Sequence, residues 1–460
     1  MILSNYVRTS LTSCVEINNL VPKVIVMPEN REPARKLGIR GSPGMGLVAG
    51  TIAFFAGFAA VALFGVTVHS VAPLLHLSIV EIGWLVAIPL VTGALLRIPF
   101  GALVDAVGGR RIILTQLTIA LIGMVGLIII LHSIVSRLLT GLMGYTLLML
   151  FGAIAGTGIS TFASGIAYVS YWFPQRRQGY ALGAFAGFGN AAPGIFTAIL
   201  PFALASLGLV GAYTAWTAFL AIMTFAFLLI GYDAYYFQLM HRGFTRDNAI
   251  ERAKTLGEEL IPTGSTTKSL AMAARVWRTW LLIIMYFVSF GGFEALTEWL
   301  PTYWTKYLGA SLTLASLLTG IVYSLLTALM RVPGGWWSDK WGGERAAIIS
   351  YLVLVIGSVI FIISRSLFTS IMAEVVMAVG MGIANAAVFK LVPKYVPEAV
   401  GGATGWVGGL GSAGGLLIPP IMAYIVAIMG KPGYAYGFII FTIFGTLSLI
   451  FSIILQRISR

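Results

Sequence analysis

Apolar residues come in long blocks parted by short polar links. Twelve blocks can be drawn, near 48–70, 81–104, 111–132, 141–172, 178–206, 211–234, 278–300, 314–337, 346–364, 367–391, 401–428 and 434–456. A helix needs about 20 apolar residues to cross a hydrocarbon core of about 30 Å, so each block is long enough to be a span. The pattern predicts an all-α membrane protein with twelve transmembrane helices. One long polar stretch, 235–277, divides six spans from six. It carries His241-Arg-Gly, a charged run through Glu259 and Pro262-Thr-Gly-Ser, which is linker chemistry with room for one short amphipathic helix. The expected organisation is a tail at 1–46, a first bundle at 47–234, a linker at 235–277 and a second bundle at 278–460.

Composition agrees. The chain is 58% hydrophobic and only 10% charged, whereas a soluble domain carries about a quarter charged residues. The net charge of +13 would suit a nucleic-acid binder, but its distribution argues otherwise. With the N-terminus inside, 23 of the 29 Lys and Arg fall on the inner side and four on the outer; the other two are Arg97 and Arg331. Such asymmetry is an orientation signal. It predicts a multi-pass protein of the cell inner or plasma membrane, both termini cytoplasmic, with the lipid bilayer rather than nucleic acid as its surroundings.

The single cysteine, Cys14, excludes an internal disulfide framework. The first 46 residues lack the apolar core of a signal peptide and read as a poorly ordered cytoplasmic tail. Met27 and Met45 are alternative starts, so the first 26 to 44 residues need not belong to the natural protein. His69, His76, His132 and His241 lie at loops and span ends. With no His pair, Cys cluster, nucleophile motif or phosphate-cradling loop, neither catalytic residues nor a metal or cofactor is expected, and the chain does not read as an enzyme.

The two halves repeat one device. The first contains LLRIPFGALVDAVGGRR and the second LMRVPGGWWSDKWGGER. Counted from Arg97 and Arg331, Pro recurs at +2, Gly at +4, Asp at +8, Gly-Gly at +11 and +12, and Arg at +14, across an offset of 234 residues. Seven matched positions at half-chain spacing make an internal repeat. Repeats of this kind are typical of transporters, which place the binding site between the halves near the midplane.

Arg97 and Arg331 each sit eight residues before the Asp that marks a helix end, or about 12 Å along the axis. Both guanidiniums should therefore reach the middle of the membrane, one from each half. Snorkelling over 12 Å is unfavourable, and neither has an acid beside it in its own helix. A permanently charged planar fork matches a flat oxyanion, so the pair reads as a two-arginine clamp on an anion. Asp105 with Arg111, and Asp339 with Arg345, place charges at helix ends where the bundles meet, and are expected to gate the closed states.

The loops Asp105…Gly108-Gly109-Arg110-Arg111 and Asp339…Gly342-Gly343…Arg345 resemble the paired signature of the major facilitator superfamily, over about residues 47–457. The resemblance implies two six-helix bundles rocking about a central site. Within that superfamily, FASGIAYVSYWFPQRRQGYALGAFAGFGN, from Phe162 to Asn190, is similar to the signature region of the nitrate/nitrite porters. ATGWVGGLGSAGG at 403–415 is its counterpart, with Gly187 and Gly189 matching Gly409 and Gly411 at an offset of 222. Helix packing through Gly183/Gly187 and Gly405/Gly409 is one reading of these glycines; close passage of a small ligand and a moving helix is the other. The family places an aromatic sandwich around the anion, which the match carries onto Phe162, Tyr286 and Phe290. Asn190 is either an amide donor to the anion or an interhelical hydrogen bond.

Ala-Ala-Pro follows Asn190 where the family has a small residue and then glycine. Glu294 departs further. It continues the series Tyr286, Phe290, Glu294, and should face the same cavity about 6 Å above Phe290. The resemblance implies that exchangers lack an acid there, whereas Glu298 and Glu374 should lie near the outer surface, in water. Two expectations follow. Two unpaired arginines resist closing until an anion is bound, which gives exchange of nitrate for nitrite, an antiporter. Glu294 as a proton acceptor gives nitrate/proton symport. Either would serve nitrate assimilation. A porter of the same fold for formate, cyanate or a carboxylate is the alternative.

Overall fold

A computed structural model describes residues 38–260, 266–396 and 399–459. Among them every regular element is helical. Eleven helices are long and apolar enough to cross a membrane: Pro43–Ala62, Ile79–Val107, Gly109–Val135, Gly141–Trp172, Ala181–Ile230, Trp277–Tyr307, Leu312–Trp341, Gly343–Ile363, Leu367–Tyr395, Gly402–Met429 and Gly433–Ile458. The fifth is two spans run together. Gly208 (φ 69°, ψ 178°) breaks it into the fifth and sixth spans, which restores the expected twelve. Large apolar side chains such as Ile129, Phe202, Ile363 and Phe368 remain exposed, as a lipid-facing surface requires.

Local chemistry sets the helix ends. Ser42 caps the first span through its bond from the Met45 N–H, with Pro43 at the first helical position. Ser78 and Glu81 form a reciprocal capping box at the start of the second. The repeated Gly-Gly has a distinct reason in each position. Gly108 and Gly342 turn between consecutive spans at φ 86° and 89°, which an L side chain rarely adopts. Gly109 and Gly343 press against Tyr168 and Leu391, where a Cβ would come within 2.7 Å of either side chain.

Spans 5 and 8 touch backbone to backbone at Gly194 and Gly320, and spans 2 and 11 meet where Gly83 faces Pro419, Pro420 and Ala423. These contacts lie in the half of the membrane away from the termini. In the half nearer the termini, a Cβ on Gly183, Gly187 or Gly335 would meet no described atom within 4 Å.

The linker differs from expectation. It holds three short helices, Tyr235–His241, Arg246–Thr255 and Thr266–Arg275, rather than one. The chain from residue 38 onward is not a loose tail. Gln238 accepts from the Arg40 N–H at 2.9 Å and donates to the carbonyls of Arg40 and Asp233, while Arg242 donates to the Gly38 carbonyl. Residues 1–37, including Cys14 and Met27, lie outside the described residues, and Met45 lies within the first helix.

Glu258 closes this layer of short helices by accepting from the backbone N–H groups of Tyr235 and Tyr236. Burial raises its carboxyl to about 8, against the pull of those two donors. The folded state therefore holds the proton more tightly than the unfolded state. The associated stability is fully present below about 4.5 and is lost as pH rises toward 8. Thermal unfolding of the detergent-solubilised protein between those limits should show this decline. Glu258→Gln should flatten it, and an unchanged slope would remove Glu258 as its source.

Candidate anion-binding site

Arg97 and Arg331 converge on one aromatic ring. The Arg97 guanidinium carbon lies 5.3 Å from the Phe290 centroid and that of Arg331 lies 5.4 Å from it. Arg97 is also 5.3 Å from the Phe162 ring. The two charges thus flank Phe290 near the middle of the molecule, one from each bundle, through cation–π contacts.

Span 7 brings its residues into line by an irregularity. Phe287–Gly291 is a π turn, wider than the α-helix on either side. A wider turn offsets the drift of an α-helix, so residues four apart stay on one face. Tyr286 stacks on Phe290 with 4.8 Å between centroids and 7° between planes. Phe290 faces Phe162 at 5.8 Å and 24°, and Phe58 at 6.2 Å and 17°. A flat anion held between two ring faces needs about 7 Å, at a contact distance of about 3.5 Å per face. The Phe162–Phe290 centroid separation of 5.8 Å is about 1 Å short of that gap.

Glu294 reaches the same place. Its Oε1 accepts from Arg97 Nη2 at 2.8 Å, and both side chains are 1% exposed. Arg97 Nη1 donates to the Gly408 carbonyl at 3.3 Å. So Arg97 is not an unpaired charge: its partner comes from the other half of the chain. Arg331 forms no ion pair among the described residues, and its Nη1 is buried without a hydrogen-bond partner. Arg97 Nε, the Tyr286 hydroxyl and Glu294 Oε2 are likewise buried and unpartnered. The Tyr286 hydroxyl approaches Arg331 without reaching hydrogen-bond geometry. Unsatisfied buried donors at one locus carry an energetic cost that an acceptor would remove.

The glycines divide. Gly411 lies against Tyr286, Gly409 against Ile98, and Gly189 against the Phe54 ring. A Cβ on Gly183 or Gly187 would meet no described atom within 4 Å, so close helix packing at that side does not require these glycines here. Span 11 also supplies Gly415, whose hypothetical Cβ would fall 3.0 Å from that of Glu294. Gly411→Ala would place a methyl 2.7 Å from Tyr286 Cδ1, and that ring is fully buried and stacked on Phe290. Overpacking of this kind costs about 1–3 kcal/mol. Anion uptake should fall about tenfold in initial-rate measurements, and wild-type rates would show that Tyr286 shifts freely.

Other expected residues are placed differently. Asn190 donates to the Ala186 carbonyl of its own helix at 2.6 Å, so one of its two amide hydrogens is turned away from any anion, and its Oδ1 is unpartnered. Asp105 accepts from the Tyr171 hydroxyl at 2.6 Å, and Asp339 accepts from Lys390 at 2.5 Å. Each acid is bonded within its own bundle, while Arg111 and Arg345 are exposed. Among the described residues these acids make no ion pair across the two halves. Glu298 and Glu374 are not in water: both are wholly buried. Phe58 and the Gly408 carbonyl belong to the site and carried no signal in sequence, one being an aromatic among many and the other backbone.

Known proteins agree with this architecture. The model of the Major Facilitator Superfamily matches residues 50–322 and 285–459. The chain is 30% identical over 415 residues to the probable nitrate/nitrite antiporter NarK1 of Thermus thermophilus, covering 85% of this chain and 87% of that one. It is 26% identical over 388 residues to the nitrite extrusion protein of Bacillus subtilis, covering 84% and 88%. The fold matches that of the xylose transporter XylE from E. coli in a partially occluded inward-open conformation, with a TM-score of 0.67 at 15% identity over 90% of this chain and 97% of that one. The matched helices, the half-chain repeat and these relatives together make the chain a membrane transporter of the major facilitator superfamily, in its nitrate/nitrite porter family.

Proposed function

We propose that the protein carries nitrate and nitrite across the membrane by alternating access, with the anion held between Arg97 and Arg331 and one proton moving with it on Glu294. The observation that carries this reading is the buried Arg97–Glu294 pair at 2.8 Å within the two-arginine site. An obligate exchanger must not reorient empty. Here an internal carboxylate takes the anion's place on Arg97, so the unloaded carrier can close and return. Protonation of Glu294 frees the guanidinium for nitrate. Tyr286, Phe162 and Phe290 select a flat anion, and Arg331 Nη1, Arg97 Nε and the Tyr286 hydroxyl supply donors. The excess of positive charge on the terminal face supports an orientation with both termini in the cytoplasm.

Exchange is the second reading, favoured by the word antiporter in the Thermus relative's name. Proteoliposomes free of internal anion separate the two. With the lumen alkaline, labelled nitrate should accumulate under symport, and strict exchange predicts none. Nitrate and nitrite should each compete with the label, while formate, cyanate and acetate should not.

A further inference from the structure

Glu294 lies at the bottom of a column of buried polar groups that the anion site does not use. Glu298 and Thr302 follow it at intervals of four on span 7, each about 6 Å further along the axis. The Thr302 hydroxyl and Glu294 Oε2 are buried without hydrogen-bond partners, and both oxygens of Glu298 are buried with the backbone N–H groups of Phe64 and Gly65 nearby but short of hydrogen-bond geometry. Thr302 in turn lines a cavity of about 410 Å³ on the far face, together with His69, His76 and Lys306. A carboxyl in the membrane interior without a protein partner is costly unless it carries a proton or binds water. Two carboxyls and a hydroxyl thus stand in file between that cavity and the arginine site.

We propose that Glu298 relays protons between the far-face cavity and Glu294. A neutral Glu298 gives its proton through bridging water to the Glu294 carboxylate, whose bond to Arg97 then gives way. The Glu298 carboxylate left behind takes a proton from hydronium in the cavity, which becomes water, so one proton moves in net from the far side and no other reactant is needed. Gly65, just beyond the first span, lets the backbone of span 7 approach closely at Glu298: a Cβ there would fall 2.9 Å from the Glu298 carbonyl oxygen and 3.1 Å from its Oε2.

The neighbouring elements leave the path clear. Tyr213 of span 6 comes within electrostatic reach of Glu298, and its hydroxyl is bound to Thr67 at 2.9 Å. Glu81 of span 2 is held by Ser78 at the helix start. Glu374 of span 10 lies with Trp304, Tyr303 and Tyr323, apart from this face. His69 and Lys306 stand at the cavity, Arg97 and Arg331 at the other end, and span 11 contributes glycine over Glu294.

The relay rests on the symport reading, and one set of proteoliposome measurements separates them. The readout is the ratio of pH-gradient-driven net nitrate uptake to nitrate counterflow at equal pH. Absence of net uptake in wild type overturns symport, survival of net uptake in Glu294→Gln places the proton elsewhere, and either result overturns the relay. With symport standing, Glu298→Gln should lower the ratio at least tenfold, Glu298→Asp should recover part of it, and Thr302→Val should lower it as well. Glu374→Gln should leave it within twofold. An unchanged ratio in both Glu298→Gln and Thr302→Val overturns the relay alone. A parallel fall of both rates and of thermal stability in Glu298→Gln, with Thr302→Val normal, makes Glu298 a packing residue and also overturns it.

Discussion

Arg97→Lys and Arg331→Lys should each lower nitrate transport by about 100-fold or more, although charge is conserved. Arg97 does three things at once: it bonds Glu294 at 2.8 Å, bonds the Gly408 carbonyl at 3.3 Å, and lies against the rings of Phe162 and Phe290. A lysine ammonium is a compact point charge without the flat fork, so it can satisfy Glu294 but cannot also present donors beside Phe290. Arg331 offers its unpartnered Nη1 from the opposite side. Each charge-assisted hydrogen bond lost is worth about 1.5–3 kcal/mol, and two of them account for the expected factor. Uptake into proteoliposomes measures the rate, and a nitrate-dependent rise in melting temperature measures binding. Lysine variants that keep nitrate affinity would defeat the clamp. Unliganded melting temperatures near wild type would show that the loss is not one of folding.

The parts of this site legible in sequence are those that break a pattern. Arginine within an apolar block stands out, and its repetition at one offset makes it informative, which is why Arg97 and Arg331 could be paired before any coordinates. Glu294 was legible for the same reason, through its spacing from Tyr286 and Phe290. Its partner was not, because contact with Arg97 joins residues 197 apart in sequence. Depth was misjudged where helices outrun their apolar blocks. The seventh block closes at residue 300, so Glu298 reads as a residue at the water edge. The helix itself continues to Tyr307, through a second π turn at Tyr303–Tyr307, and buries Glu298 completely. Asp105 and Asp339 do stand at repeated helix ends, but their donors Tyr171 and Lys390 have no matched spacing to reveal them.

Glu294→Gln should abolish net nitrate accumulation driven by a pH gradient while nitrate counterflow, though slower, persists. Glutamine keeps an oxygen that can accept from Arg97 but carries no charge and takes up no proton. The unloaded site then holds two guanidiniums with no internal anion, and two like charges in a medium of low dielectric oppose closure around an empty site. Only a bound anion relieves them, so the variant reorients loaded and not empty. A symporter becomes an exchanger by one substitution. The same variant should lose the dependence of uptake on external pH, because the group that coupled the anion to the proton is gone. Glu294→Asp, with a chain one methylene shorter, should retain coupling at a reduced rate, provided Gly415 lets the helix settle toward Arg97. Persistent pH-driven accumulation in Glu294→Gln would place the proton elsewhere and return the Arg97–Glu294 pair to a purely structural role.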